Sequence, residues 1–382
     1  MFAQMLDMED WFDFLDPLNV LGLNDDNGYN DGQLARHIHT NEGEMPELEG
    51  VDIILVGAGE TRGSGRYEAR MDGPDAIRKQ IYQLHYWHQD LAIADVGNIK
   101  AGQSLSDSYA AIKTVLGELM KTGARIVILG GSHDVTLAQY FAYRDAHQLI
   151  DATCVDATID LRGESSIRSE NFLLEMLTSE PNVVKHYNHI AFQSYFVHPR
   201  MLETMDKLRF DPYRVGRVKE DLEDIEPAIR SSHLISFDIS AIKYGDSPAS
   251  ECSPNGLTGE EACIITRFAG MSTNNSTIGF YGYHPHADVN ELSAKQIAQM
   301  FWYFMDGVSR SREESDLKER AHFNEFNTVF VDVDTVFLQS RTTGRWWMQM
   351  PDQKFIPCTY RDYLAAAKGE IPERWLRTQE RL

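Results

Sequence analysis

The stretch Val127–Thr136, VILGGSHDVT, decides the fold. Three consecutive apolar residues run into two glycines, and a histidine and an aspartate follow almost at once. An apolar run without polar alternation is the pattern of a strand buried on both faces, as in a parallel sheet covered by helices. Ligands of such sheets collect beyond the carboxyl ends of the strands, so a polar side chain just after the glycines is a candidate functional group.

Similar runs recur on either side: VDIILVG (51–57), LAIADVG (91–97), DATCVD (151–156), HIAFQSYF (189–196), LISFDIS (234–240) and TIGFYGY (277–283). Amphipathic stretches such as DAIRKQIYQLHYW, SYAAIKTVLGELMKTG, EEACIITRFAGM and SAKQIAQMFWYFMDGV lie between them. This alternation predicts an α/β chain with a central, mostly parallel sheet in a three-layer α/β/α arrangement. Residues 1–50, rich in acidic, Asn and Gly residues, read as an accessory N-terminal segment, and residues 51–321 as the principal domain. Residues 322–382 read as a strand or hairpin with a closing helix, packed on that domain through Trp346, Trp347 and Trp375.

With 382 residues the chain is long enough to bury a core without staples. Its net charge of −22 repels phosphate backbones and anionic lipid, which argues against nucleic-acid and membrane partners; it suits a small cationic ligand, with solubility alone the commoner reason for such a charge. Cys154, Cys252, Cys263 and Cys358 are far apart, without metal-knuckle or disulfide-framework spacing, and read as reduced structural thiols. The N-terminus lacks the basic start and continuous apolar run of a secretory signal, so the expected compartment is the cytoplasm.

His133, Asp156, Asp160 and Asp238 all follow or end apolar runs. Taken singly, each reads as a cap or a loop-binding group. Together, one imidazole and three carboxylates make a mixed N/O donor set suited to Mn²⁺, and also to Fe²⁺, Ni²⁺ or Zn²⁺.

The order of these motifs resembles the ureohydrolase superfamily of arginase, agmatinase and formimidoylglutamase. The resemblance rests on GPDAIR (73–78), ADVGNI (94–99), GGSHD (130–134), DATID (156–160), SFDIS (236–240) and NGLTGEEACII (255–265). GETRGSG (59–65) and YFAYRDA (140–146) are similar to the formimidoylglutamase-like branch. The resemblance implies an arginase-like fold, a homo-trimer or homo-hexamer, and two divalent ions sharing a hydroxide that attacks a guanidinium or formimino carbon. It implies that His133, Asp156, Asp160 and Asp238 hold the first ion. At the second, the family's His and Asp are replaced by Thr158 and Ser240.

Other departures accompany these. The family's Gly-Gly-Asp-His-Ser is GGSHD here, the proton-shuttling His falls at Leu173, and the guanidinium-holding Glu falls at Gly282, with His284 and His286 close by. No catalytic residue is assigned; Asp134, Asn171 and His284 are candidates for a substrate pocket. The expectation is a family member with an incomplete two-metal centre, at most one Mn²⁺ or none, impaired or non-catalytic and with a binding or regulatory role. The alternatives are an active C–N hydrolase working with a single ion and a cation site that only ties strand ends together.

Overall fold

The computed structural model describes residues 10–24, 28–65, 71–250, 253–331 and 333–381. Ten strands form the main sheet: β1 (Leu15–Asp16), β2 (Ile38–Thr40), β3 (Ile53–Ala58), β4 (Ile93–Ile99), β5 (Arg125–Gly130), β6 (Ile150–Val155), β7 (Val184–Phe192), β8 (Asp211–Arg214), β9 (Leu234–Asp238) and β10 (Thr277–Tyr281). Their spatial order is β1-β4-β3-β5-β10-β9-β6-β7-β8, with β2 also on β4. Every pair is parallel except β1 with β4.

The apolar runs are explained by two cores, one on each face of the sheet. Ile53 and Leu55 of β3, and Val127 and Leu129 of β5, belong to the first core. Their neighbours Ile54, Val56, Ile126 and Ile128 belong to the second. Neither face of these strands meets water, so no polar alternation is written into them. Helices Gly73–Ile81, Gly259–Met271 and Leu292–Ser311 cover the first face, and Leu105–Met120 and Val135–Asp145 the second. Capping boxes at Ser104/Asp107 and Thr258/Glu261 satisfy the first amides of two of these helices and fix where the chain leaves its loop.

The described residues before Val51 are largely irregular but not detached, since β1 and β2 extend the sheet beside β4. The C-terminal part begins at Phe323 and holds four antiparallel strands: β11 (Phe323–Phe330), β12 (Val333–Ser340), β13 (Trp346–Gln349) and β14 (Phe355–Cys358). Helices Tyr360–Ala367 and Glu373–Gln379 follow. Trp346 stacks with Phe326 and Tyr363, and Trp375 meets Phe330 edge-on, in a separate small core.

Arg230 joins this appendage to the main domain. Its guanidinium lies 4.4 Å from the Trp347 ring centroid, donates to the carbonyls of Trp346 and Cys358, and pairs with Glu226 at 3.0 Å. The Trp347 ring thus meets the main domain through Arg230, whereas Trp346 and Trp375 pack within the appendage's own core and not, as expected, onto the main domain. Cys154, Cys263 and Cys358 are buried and free; Cys252 and the first nine residues lie outside the described residues. Among the described residues no helix is long and apolar enough to cross a membrane.

Candidate metal centre

Strands β5, β10, β9 and β6 are consecutive in the sheet, so the residues at their carboxyl ends meet. His133 arrives from β5, Asp238 ends β9, and Asp156 and Asp160 follow β6. Gly131 allows the turn: a Cβ there would sit 1.9 Å from the Glu60 carbonyl oxygen, whereas the glycine lets Ser132 N donate to that oxygen at 2.9 Å. The chain then reverses so that the imidazole faces the carboxylates.

His133 Nδ1 lies 3.1 Å from Asp156 Oδ2, 3.0 Å from Asp160 Oδ2 and 3.6 Å from Asp238 Oδ2. All four side chains are buried. Nδ1 forms no directed hydrogen bond; it points between the oxygens, while Nε2 is held 2.9 Å from Ser236 Oγ. Among the described residues, His133, Asp156 and Asp160 are the one group whose donor atoms converge as metal ligands would, with Asp238 at its margin. This donor set fits one divalent ion: a buried, unbonded imidazole nitrogen among hard oxygen donors.

The neighbouring position has different chemistry. Thr158 Oγ1 shares its hydrogen between Asp160 Oδ1 at 3.1 Å and Asp156 Oδ2 at 3.3 Å. Ser240 Oγ donates to Asp156 Oδ1 at 2.7 Å, and Ser240 N to Asp238 Oδ1 at 2.7 Å. Hydroxyl and amide hydrogens therefore occupy carboxylate lone pairs, and neither residue offers the imidazole or carboxylate that a second ion requires. At this position the chain places two hydroxyls bonded to the cluster's carboxylates.

Electrostatics follow from crowding anions away from water. Burial raises the Asp160 carboxyl to about 8, helped by the nearby Asp156 charge, and raises Asp238 to about 6. Burial also opposes charge on Asp156, but contact with His133 holds it below the usual carboxylate range. Burial likewise opposes charge on His133, yet its contacts with Asp156 and Asp160 push the imidazole well above its ordinary value. Without metal, the surroundings thus favour charge on His133 and Asp156 and favour protons on Asp160 and, less strongly, on Asp238.

The cluster floors a cavity of ≈ 220 Å³ whose walls include Arg162, Glu170, Ser64 and His284. Of the three residues expected in a substrate pocket, only His284 lines it. Asp134 is fully buried behind the wall, where its carboxylate accepts from Tyr109, because the chain enters the Val135–Asp145 helix and turns that side chain away. Asn171 donates to the Ser165 carbonyl at 2.6 Å and closes its own loop. Arg162 and Glu170 were not singled out; the signal for Arg162 was its place two residues after Asp160, and Glu170 had none. Leu173 is buried in the core and has no access to the cavity. Gly282 passes over Asp238: at φ 78°, a Cβ there would lie 2.5 Å from Asp238 Oδ1.

The Arginase family model matches residues 51–306, two thirds of the chain and all of the strands that build this site. The chain belongs to the arginase family. Among relatives of this arginase-family chain, the formimidoylglutamase of Staphylococcus aureus (strain JH9) is 24% identical over 272 residues, which cover 68% of this chain and 86% of the relative. Solved structures share the fold at lower identity. The formiminoglutamase of Trypanosoma cruzi, solved with Mn²⁺, aligns with a TM-score of 0.62 at 18% identity, covering 77% of this chain and 99% of that one. The formimidoylglutamase of Bacillus subtilis aligns at 0.66 and 15%, covering 75% and 96%. The proclavaminate amidino hydrolase of Streptomyces clavuligerus aligns at 0.61 and 17%, covering 73% and 97%. The arginase-like α/β fold of the chain is therefore shared with all three of these structures.

Proposed function

We propose that this arginase-family chain holds at most one divalent ion, Mn²⁺ before others, at His133, Asp156, Asp160 and Asp238, and has lost or strongly weakened two-ion amidine hydrolysis. It retains a binding or regulatory role toward a small cationic or amidine ligand. The observation that carries this reading is the donation by Thr158 and Ser240 into Asp156 and Asp160. Those hydrogens stand where a second ion would draw on the same oxygens. When bound, a single ion supplies Lewis acidity and lowers the pKa of a coordinated water. The chain's own residues do the rest: Ser236 orients the imidazole, and the cavity's carboxylates attract a cation.

Elemental analysis of protein purified without chelator tests the reading; two tightly held ions per chain would refute it. Arginine, agmatine and formiminoglutamate supplied with Mn²⁺ should release negligible urea or formamide. Each tenfold loss of rate is about 1.4 kcal/mol of transition-state stabilisation, and a second ion, a shuttle histidine and a guanidinium-holding carboxylate are all missing. The intact set of one His and three Asp supports a second reading, a one-ion C–N hydrolase. Turnover by the unmodified protein that His133→Ala abolishes would put that reading first. A homo-trimer or homo-hexamer, carried by family resemblance, and a cytoplasmic location, carried by the N-terminal sequence pattern, complete the proposal.

A further inference from the structure

We propose that Glu170 makes the cavity select a ligand with an amine, not a carboxylate, at its outer end; this rests on the ligand-binding role proposed above. Among the described residues, Arg162 is the one permanently charged cation on the cavity wall and, with its planar guanidinium, would ordinarily be a carboxylate receptor. It is already engaged. Its NH1 lies 3.4 Å from Glu170 Oε2, and its backbone N donates to the Glu170 carbonyl at 3.0 Å.

The loop that carries both residues is closed by its own hydrogen bonds. Ser165 N donates to the Arg162 carbonyl at 3.0 Å, Asn171 Nδ2 to the Ser165 carbonyl at 2.6 Å, and Glu170 N to the Ile167 carbonyl at 3.1 Å. The pairing is thus held by the backbone as well as by charge. A ligand carboxylate would have to displace Glu170 from Arg162 and then sit beside the displaced anion. A ligand ammonium accepts Glu170 as it stands, with the Ser64 and Ser169 hydroxyls lining the same space. The remaining lining charge decides between the two. Asp156, Asp160 and Asp238 face the same cavity, and even one divalent ion does not cancel three carboxylates, so the field inside favours a cation.

Titration calorimetry with two probes of equal length, 1,4-diaminobutane and 4-aminobutanoate, tests the assignment on the full chain. The unmodified protein should bind the diamine more tightly. Glu170→Gln should weaken the diamine about fivefold and, by freeing Arg162, strengthen the amino acid by about the same factor, the scale expected of a half-exposed ion pair. Adding Arg162→Gln to Glu170→Gln should remove the gain for the amino acid. Opposite changes in two ligands cannot come from partial unfolding, which weakens both. The assignment is overturned if Glu170→Gln moves both affinities in one direction or neither, or if the unmodified protein prefers 4-aminobutanoate or binds neither probe. Two metal ions per chain with the switch intact would overturn the proposed function and leave this assignment standing. At most one ion with no switch would do the reverse.

Discussion

Replacing Thr158 by His and Ser240 by Asp together should create a second metal position and make the protein depend on it. The substitutions remove the hydroxyl donors of Asp156 and Asp160 and add a further carboxylate to a buried cluster. A hydrogen bond to a charged acceptor contributes about 1.5–3 kcal/mol, so two lost donors cost about 3–6 kcal/mol before added repulsion. At roughly 2 °C per kcal/mol for a large domain, the chelator-treated double variant should unfold about 6–12 °C below the parent. Free Mn²⁺ at a hundred times its Kd returns about 2.7 kcal/mol per site, so two sites recover most of the loss. Thermal unfolding in chelator and then in Mn²⁺, with elemental analysis after desalting, reads both effects. Activity should lag behind metal content, because Leu173 and Gly282 are unchanged. The reasoning fails if the chelator-treated variant is as stable as the parent, since the hydroxyls would then not be holding the carboxylates. It also fails if the variant retains no more Mn²⁺ than the parent.

In metal-free protein the stability contributed by Asp160, Asp238 and His133 should fall as pH rises from about 4 to about 8, against an opposite contribution from buried His189, whose pKa is lowered to about 4. Asp160 and Asp238 have folded pKa values raised to about 8 and about 6 from 3.8, and His133 is raised as well, so their contributions are complete at low pH and fade as pH passes those values. Mn²⁺ competes with these protons, so its stabilising effect should grow over the same range; a shift in unfolding midpoint on adding Mn²⁺ that is flat between pH 5.5 and 8.5 would contradict this. Gly282→Ala should lower metal content with only about 1–2 kcal/mol lost from the fold, since the methyl displaces Asp238 and the backbone is left-handed; unchanged metal binding would show that Asp238 is dispensable. Arg230→Ala should loosen the appendage and cost about 3–5 kcal/mol, because it strands Glu226 and opens the contact with Trp347. Limited proteolysis should then cut first near residues 312–322, and an unaltered cleavage pattern would count against the anchoring role.

The parallel sheet was legible because strands buried on both faces are written as uninterrupted apolar runs, and β3, β5 and β9 begin within two residues of those runs. β7 was harder to read. HIAFQSYF suggested a strand from 189 to 196, but pairing starts at Val184 and ends at Phe192, where Ala191 takes a left-handed φ of 73° and the register with β8 shifts. No residue-type signal announces a bulge at an alanine. β8, Asp-Pro-Tyr-Arg, was missed because proline and charge are tolerated on an edge strand and look like loop. The convergence of His133, Asp156, Asp160 and Asp238 was legible because each ends a strand or follows one within five residues, which the apolar pattern reveals. That Asp134 and Asn171 point away from the cavity and Glu170 lines it was not legible, because loop side chains take their direction from local hydrogen bonds that adjacency in sequence does not encode.

The hydroxyls of Thr158 and Ser240 also bear on how the protein comes into being. A pocket crowded with anions resists closing until a cation arrives, so maturation of such a protein waits on the supply of that cation. Here the crowding is relieved from within, by one anion fewer and by hydrogens that the chain itself carries to the survivors. On the proposed reading, such a chain would reach its folded form without waiting for an ion, and any divalent ion would join a finished protein instead of being a condition of its assembly.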